Sequence, residues 1–244
     1  ARRPPPQKIL PCRISALTRV APDVLKVELR LPPTAEFEFV AGQYVDVIGP
    51  AGVRRSYSLA KGSCEGNIIE LHIREFSNGV MSDYWFNHAK VNDLLRLHGP
   101  LGTFMLRDVS GLDLIFLATG TGIAPVKAML ETLHLLSTEQ QPRSVRTLWG
   151  GRVLSDLYWD VTSNAKDHHY HPVLSQAGED WVGARGYVQD VLLSLASDLS
   201  QSAVYACGSL AMVHEARAVL EKAGLSPGRF FADAFVPSSG IATS

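Results

Sequence analysis

The chain has 244 residues, 46% hydrophobic and 19% charged, enough for one large soluble domain or two ordinary ones. Its 23 Lys and Arg against 24 Asp and Glu leave a net charge of -1, so no basic excess exists to hold a nucleic-acid backbone. No apolar run approaches the roughly 20 residues that span a bilayer, so no membrane partner is expected.

The first ten residues, with the run Arg2-Arg3-Pro4-Pro5-Pro6, read as a linker where a preceding segment would join. From Cys12 to about Leu106 the rhythm is short and strand-like. Val27, Leu29 and Leu31 alternate with Lys26, Glu28 and Arg30, and Ile69, Leu71 and Ile73 alternate with Glu70, His72 and Arg74. Period two predicts half-buried antiparallel strands, and turns at Pro32-Pro33, Gly49-Pro50-Ala51-Gly52 and Gly66-Asn67 space them as in a small barrel or sandwich. Within this half, Arg55 and Tyr57 would share one face of a strand, with Ser56 and Ser58 on the other. An arginine forks onto a phosphate and a tyrosine ring lies against a flat heterocycle; an exposed Arg beside a packed Tyr fits the same four residues. His72 and Arg74 add cationic candidates, and Gly79-Val80-Met81-Ser82 enters a predicted helix with Ser82 as its N-cap.

After a boundary at Asp108–Gly111 the rhythm changes. Leu112–Thr119 reads as a strand buried on both faces. Pro125 is expected at a helix N1 position, leading a segment with Val126, Met129, Leu130 and Leu133 on one face. Strands at Val145–Trp149, Tyr170–Leu174, Ala203–Cys207 and Arg229–Phe235 alternate with helices at Ser155–Asn164, Val188–Ala196 and Leu210–Ala223. This alternation predicts a parallel sheet with helices on both faces. Between its first strand and helix, Thr119-Gly120-Thr121-Gly122-Ile123-Ala124-Pro125 could bring backbone N–H groups against an anion. Proline at 125 departs from GxGxxG, so the loop by itself also fits a plain strand-to-helix turn. His168-His169-Tyr170-His171 lacks metal-ligand spacing and reads as a solvated loop, residues 238–244 as a mobile tail. Cys12, Cys64 and Cys207 support neither a disulfide framework nor a metal site, and point to a reducing compartment, the cytoplasm.

The motifs at 55–58, 79–82 and 120–125, with Gly99-Pro100-Leu101-Gly102-Thr103-Phe104 and Cys207-Gly208-Ser209, fall in the order of the ferredoxin–NADP reductase superfamily, which the chain resembles from residue 42 to 237. Gly42-Gln43-Tyr44, Arg54–Ser58, Tyr205–Met212 and Phe231–Pro237 further resemble the CDP-6-deoxy-3,4-glucoseen reductases of dideoxysugar biosynthesis. The resemblance implies an antiparallel β-barrel that binds FAD (11–108), then an α/β parallel-sheet domain that binds NADH or, with Arg152 on a 2′-phosphate, NADPH (109–237). It implies that Arg55 holds the flavin phosphate, Tyr57 stacks on the isoalloxazine and Ser58 bonds near N5. His72, Arg74, Gly79, Val80, Met81 and Ser82 would secure the FAD pyrophosphate side, and Gly120, Thr121, Gly122 and Pro125 the NADH pyrophosphate. Gly151 and Arg152 would meet the ribose end, where no acidic residue is evident to take a 2′-hydroxyl. Cys207 and Gly208 would lie beside the nicotinamide, and Asp233 and Phe235 would close the flavin's other side, with Ser58, Cys207 and Asp233 as the catalytic group. The implied activity is hydride transfer from NADH to FAD, then single electrons to an iron–sulfur acceptor. The three cysteines cannot supply the four ligands of a plant-type [2Fe–2S] cluster, so that acceptor is expected on a linked domain or a separate protein. Rival expectations are a flavin reductase that releases reduced flavin, an oxygenase reductase, and a non-catalytic redox or nucleotide sensor.

Overall fold

A computed structural model describes residues 5–161, 167–196 and 198–235. The first half contains β1 (Lys8–Ala21), β2 (Val24–Arg30), β3 (Tyr44–Ile48), β4 (Arg54–Ser58), β5 (Ile68–Arg74), a one-turn helix α1 (Val80–Asp83) and β6 (Leu94–Leu101). The strands form one antiparallel sheet in the order β4-β3-β6-β1-β2-β5, and a bridge from Leu59 to Leu71 links its two ends into a barrel. Inward positions such as Val27, Leu29, Val45, Val47, Leu71 and Leu97 fill it, with Trp85 packed alongside. Strand β1 already begins at Lys8, inside the stretch that composition marks as linker, because Lys8, Ile9 and Leu10 pair with Gly99, His98 and Leu97.

Residues 102–112 lead to the second half: β7 (Asp113–Thr119), α2 (Ile123–Thr132), β8 (Ser144–Gly151), β9 (His168–Leu174), β10 (Ala184–Arg185), α3 (Val188–Leu195), β11 (Ser202–Ser209), α4 (Leu210–Lys222) and β12 (Phe230–Phe235). All its strands are parallel, in the order β10-β9-β8-β7-β11-β12. Alternate residues of β7 and β11 go to opposite faces: Phe116, Tyr205 and Cys207 pack with α2, while Leu117, Val204 and Ala206 pack with α3 and α4. The expected barrel followed by a parallel-sheet domain is thus the observed architecture.

Several local expectations fail for identifiable reasons. Within the described part of Ser155–Asn164 there is no α-helix but a single 3-10 turn, Leu154–Asp156, and then irregular chain; 162–166 lie outside the described residues. Leu157, Tyr158 and Trp159 all pack on the α2-side core, whereas a helix would turn consecutive side chains about 100° apart. His168 and His169 belong to β9, paired with Val145 and Arg146, rather than to a loop. Pro125 stands third in α2, not first. Its missing N–H costs nothing there either, because that turn has no intrahelical acceptor for it. Residues 236–244 lie outside the described residues.

The thiols separate by burial. Cys12 lies in the barrel core and burial pushes its pKa up to about 12; Cys207 is fully buried and pushed well above the ordinary thiol range by burial and the nearby Asp233 carboxylate. Cys64 is half-buried and raised less. Titration of the native protein with a disulfide reagent at pH 8 should therefore modify one thiol, Cys64, and all three after denaturation. Native labelling of Cys207 would contradict this burial.

Candidate active site: a cavity between two domains

Strand order reverses about β7, whose neighbours are β8 and β11. Connections leave such a point in opposite directions and open a crevice at the carboxyl ends of the strands. Here the turn Gly120–Gly122 leads into α2, with Gly120 at φ +54. A Cβ on Gly122 would overlap the Cys207 carbonyl, so there the turns touch backbone to backbone, and one on Gly208 would overlap the Thr119 side-chain oxygen. Thr119 Oγ1 also accepts from the Ser209 N–H at 3.3 Å, and Ser209 Oγ caps α4 by accepting from Met212 N–H at 3.2 Å. Trp149 Nε1–H donates to the Gly120 carbonyl at 2.9 Å, tying β8 to the same turn.

A cavity of about 600 Å³ opens over these turns. Of the residues implicated by sequence, Gly120, Thr121, Gly151, Arg152, Gly208 and Phe235 line it from the second domain, and Arg74 lines it from the barrel. The Arg74 guanidinium is held by Asp23 at 3.0 Å and stands within 3.6 Å of the Cβ position of Gly120. Gly122, Pro125, Cys207 and Asp233 do not line the cavity. Cys207 and Asp233 are register partners on β11 and β12, and burial raises the Asp233 carboxyl.

On β4 the expected faces hold. Arg55 and Tyr57 lie opposite Val47 and Val45, and the Tyr57 oxygen accepts from Trp85 Nε1–H at 3.0 Å. Burial pushes the Tyr57 phenol up to about 12 despite Trp85 and Arg55. Ser58 is buried. The segment 79–82 differs from expectation. Gly79 is the N-cap of α1, while Ser82 sits inside the turn and accepts from Phe76 N–H at 2.8 Å. Met81 is buried in the barrel core and the Val80 side chain faces solvent, so neither brings a polar side-chain atom to a ligand. His72 is likewise not free for a cofactor: its side chain is 3% exposed, with Nε2 2.8 Å from Glu70 and Nδ1 2.9 Å from Tyr158.

Several lining residues escape sequence reading, Asp156, Gln189 and Tyr158 among them. Asp156 lies four positions after Arg152 and supplies the acid that was not evident near 150–152; its Oδ2 accepts from the N–H groups of Arg152 and Val153 at 2.8 and 3.2 Å and stands 3.8 Å from Arg152 Nε. That i,i+4 spacing was the available signal. Gln189 lies one residue into α3, 1% exposed, and its Oε1 has no partner among the described residues. Tyr158 comes from the segment misread as helix. A buried orphan acceptor, the cavity-lining glycines and Arg74 fit a dinucleotide; Ser58, Arg55 and the α1 terminus without a side-chain cap fit a flavin nucleotide.

Residues 11–106 match the Oxidoreductase FAD-binding domain family, and residues 116–218 the Oxidoreductase NAD-binding domain family. Barrel, parallel sheet and shared cavity are those of a flavoprotein reductase. The chain belongs to the family of FAD- and NAD-binding oxidoreductases, and its fold is that of the ferredoxin–NADP reductases. It is 44% identical over 236 residues to the CDP-6-deoxy-L-threo-D-glycero-4-hexulose-3-dehydrase reductase of Yersinia pseudotuberculosis, covering 95% of this chain and 70% of that protein. It is 31% identical over 243 residues to reductase component 1 of terephthalate 1,2-dioxygenase from a Comamonas species, covering 96% and 70%. The crystal structure of the Amycolatopsis cytochrome P450 reductase GcoB superposes with a TM-score of 0.85 at 28% identity, covering 96% of this chain and 72% of that one.

The touching turns make a direct test. Gly122→Ala should destabilise the protein by about 2 kcal/mol or more, because the clash is with backbone and no flexible side chain can yield. Urea unfolding measures it; an unchanged midpoint would mean the turns can separate freely.

Proposed function

We propose that this chain takes hydride from NADH onto FAD and passes electrons singly to an iron–sulfur acceptor on a linked domain or separate protein. The observation that carries the reading is one cavity walled by both domains, with Arg74 and Phe76 of the barrel facing Thr121 and Gly208. FAD, when bound, supplies what no side chain can, acceptance of a hydride and release of its electrons one at a time.

The chain's own residues bind, orient and exclude water. Arg55 offers its guanidinium to a flavin phosphate, and Tyr57, steadied by Trp85, presents a fixed ring. The Ser58 hydroxyl would donate to a flavin ring atom. The free N–H groups of α1 behind Gly79, together with Arg74, serve the pyrophosphate. Gly120 and Thr121 offer backbone to the second pyrophosphate, and Gln189 Oε1 accepts from a donor on the nucleotide. Gly208 and Phe235 line the cavity and would shape it around the nicotinamide and flavin rings. Cys207 and Asp233 act from one layer behind: a thiol held protonated by burial keeps the site dry and exchanges no proton.

Asp156 favours NADH. Its carboxylate partly neutralises Arg152 and would repel a 2′-phosphate. The ranking of the relatives, a deoxyhexulose dehydrase reductase ahead of a dioxygenase reductase, supports an acceptor in deoxysugar synthesis.

Purified protein should be yellow, retain one FAD per chain through gel filtration, and lose flavin absorbance when mixed anaerobically with NADH. A colourless protein that needs added flavin would point instead to a free-flavin reductase, and FAD that NADH does not bleach would point to a sensor. Asp156→Asn keeps the acceptor for the Arg152 and Val153 N–H groups and removes the charge. It should raise the NADPH-to-NADH ratio of kcat/KM by about three- to tenfold, the scale of one partly exposed charge.

A further inference from the structure

Glu70, His72 and Arg74 alternate along β5 and so share one face of it. In a barrel standing alone that face would meet water. Here it meets three elements of the second domain: Glu70 is 3.4 Å from Lys127 on α2, His72 is 2.9 Å from the Tyr158 hydroxyl, and Arg74 lies against the turn at Gly120. Lys127 also donates to the Ala60 carbonyl at 3.0 Å and pairs with Glu131 at 2.7 Å, while Glu131 accepts from the Gly62 N–H at 2.9 Å.

The protons in this chain have one consistent arrangement. Burial lowers the His72 pKa despite Glu70, so the imidazole is neutral. Burial alone would raise the Glu70 carboxyl, but the bond from His72 and the Lys127 charge outweigh it and hold it ionised. A carboxylate only accepts, so His72 Nε2–H donates to Glu70 and Nδ1 accepts from the Tyr158 hydroxyl. That hydroxyl stays protonated, its pKa raised far by burial. The Tyr158 ring then meets Trp149 edge-on at 5.1 Å, and Trp149 holds the Gly120 carbonyl. Tyr158 and Gly120 both line the cavity; His72, Glu70 and Trp149 do not.

We propose that His72 is a positioning residue for the dinucleotide: through Tyr158 and Trp149 it sets the cavity wall and the Gly120 turn of one domain against the barrel of the other. The proposal rests on the reading that this cavity takes NADH. It assigns a role to a residue that contacts neither cofactor through a free polar atom.

The test is calorimetric titration of NAD⁺ into the FAD-loaded protein, with stopped-flow bleaching by NADH and thermal melting alongside. His72→Phe should weaken NAD⁺ binding about tenfold, the scale of a lost buried hydrogen bond. It should also slow bleaching at saturating NADH, with FAD retained. Tyr158→Phe, which deletes one oxygen and keeps the ring, should do the same and carries the test if His72→Phe folds poorly. The double variant should be no worse than the worse single one, as for residues acting through one contact. His72→Gln, able to donate to Glu70 and accept from Tyr158, should recover most of the affinity. Wild-type NAD⁺ affinity in both single variants, multiplying effects in the double, or no rescue by Gln would overturn the proposal alone. No NAD⁺ binding by the unsubstituted protein would overturn the nucleotide reading and the proposal with it.

Discussion

Two backbone turns, Gly120–Gly122 after β7 and Cys207–Ser209 at the end of β11, lie too close for any side chain to pass between them. That contact follows from the strand order, which places β7 and β11 side by side while their connections leave in opposite directions. It leaves the cavity floor made of peptide groups and the rim made of side chains. A polyanionic ligand is then met by N–H dipoles that need no counter-charge, with Arg74 as the cation delivered from the other domain. Trp149 fixes the turn from the third side, so the floor has little freedom to adjust.

The barrel is shaped to reach this floor. β5 closes one end of its sheet, the place where a protein ordinarily exposes charge to discourage unwanted pairing. The charge is present, but the second domain covers it. A buried carboxylate is tolerable only when its lone pairs are satisfied and its charge is paired. At Glu70 the Oε1 oxygen has the His72 bond and the Lys127 charge beside it. This part of the joint between domains is therefore polar and directional.

How much of this was legible depended on whether local pattern and tertiary role agreed. β7 and β11, buried on both faces, announce themselves as apolar runs, and the glycine turn between β7 and α2 marks the crevice. Arg55, Tyr57 and Ser58 were readable because alternation alone divides a strand's faces. Alternation misled at β5: Glu70 and His72 look like a solvent face, and only the covering domain makes them interior. Leu157, Tyr158 and Trp159 look helical in composition yet are drawn out by a core lying to one side. Ser82 has the chemistry of an N-cap but serves Phe76 from inside the turn. Gln189 carried no signal at all, since an orphan acceptor exists only once its surroundings do.

The core on the α2 side of the parallel sheet includes Ala41 and Phe104, which come from the barrel half of the chain. Phe104 meets the Tyr205 ring at 5.9 Å, and the Met129 side-chain end reaches the backbone at Gly42. Neither domain thus owns a complete interior. Separating them would open an apolar wound as well as the polar joint, so cooperativity should extend across the whole molecule, with heat melting both domains in a single transition. For the same reason a nucleotide seated in the shared cavity protects the barrel from unfolding as much as the sheet that mainly holds it.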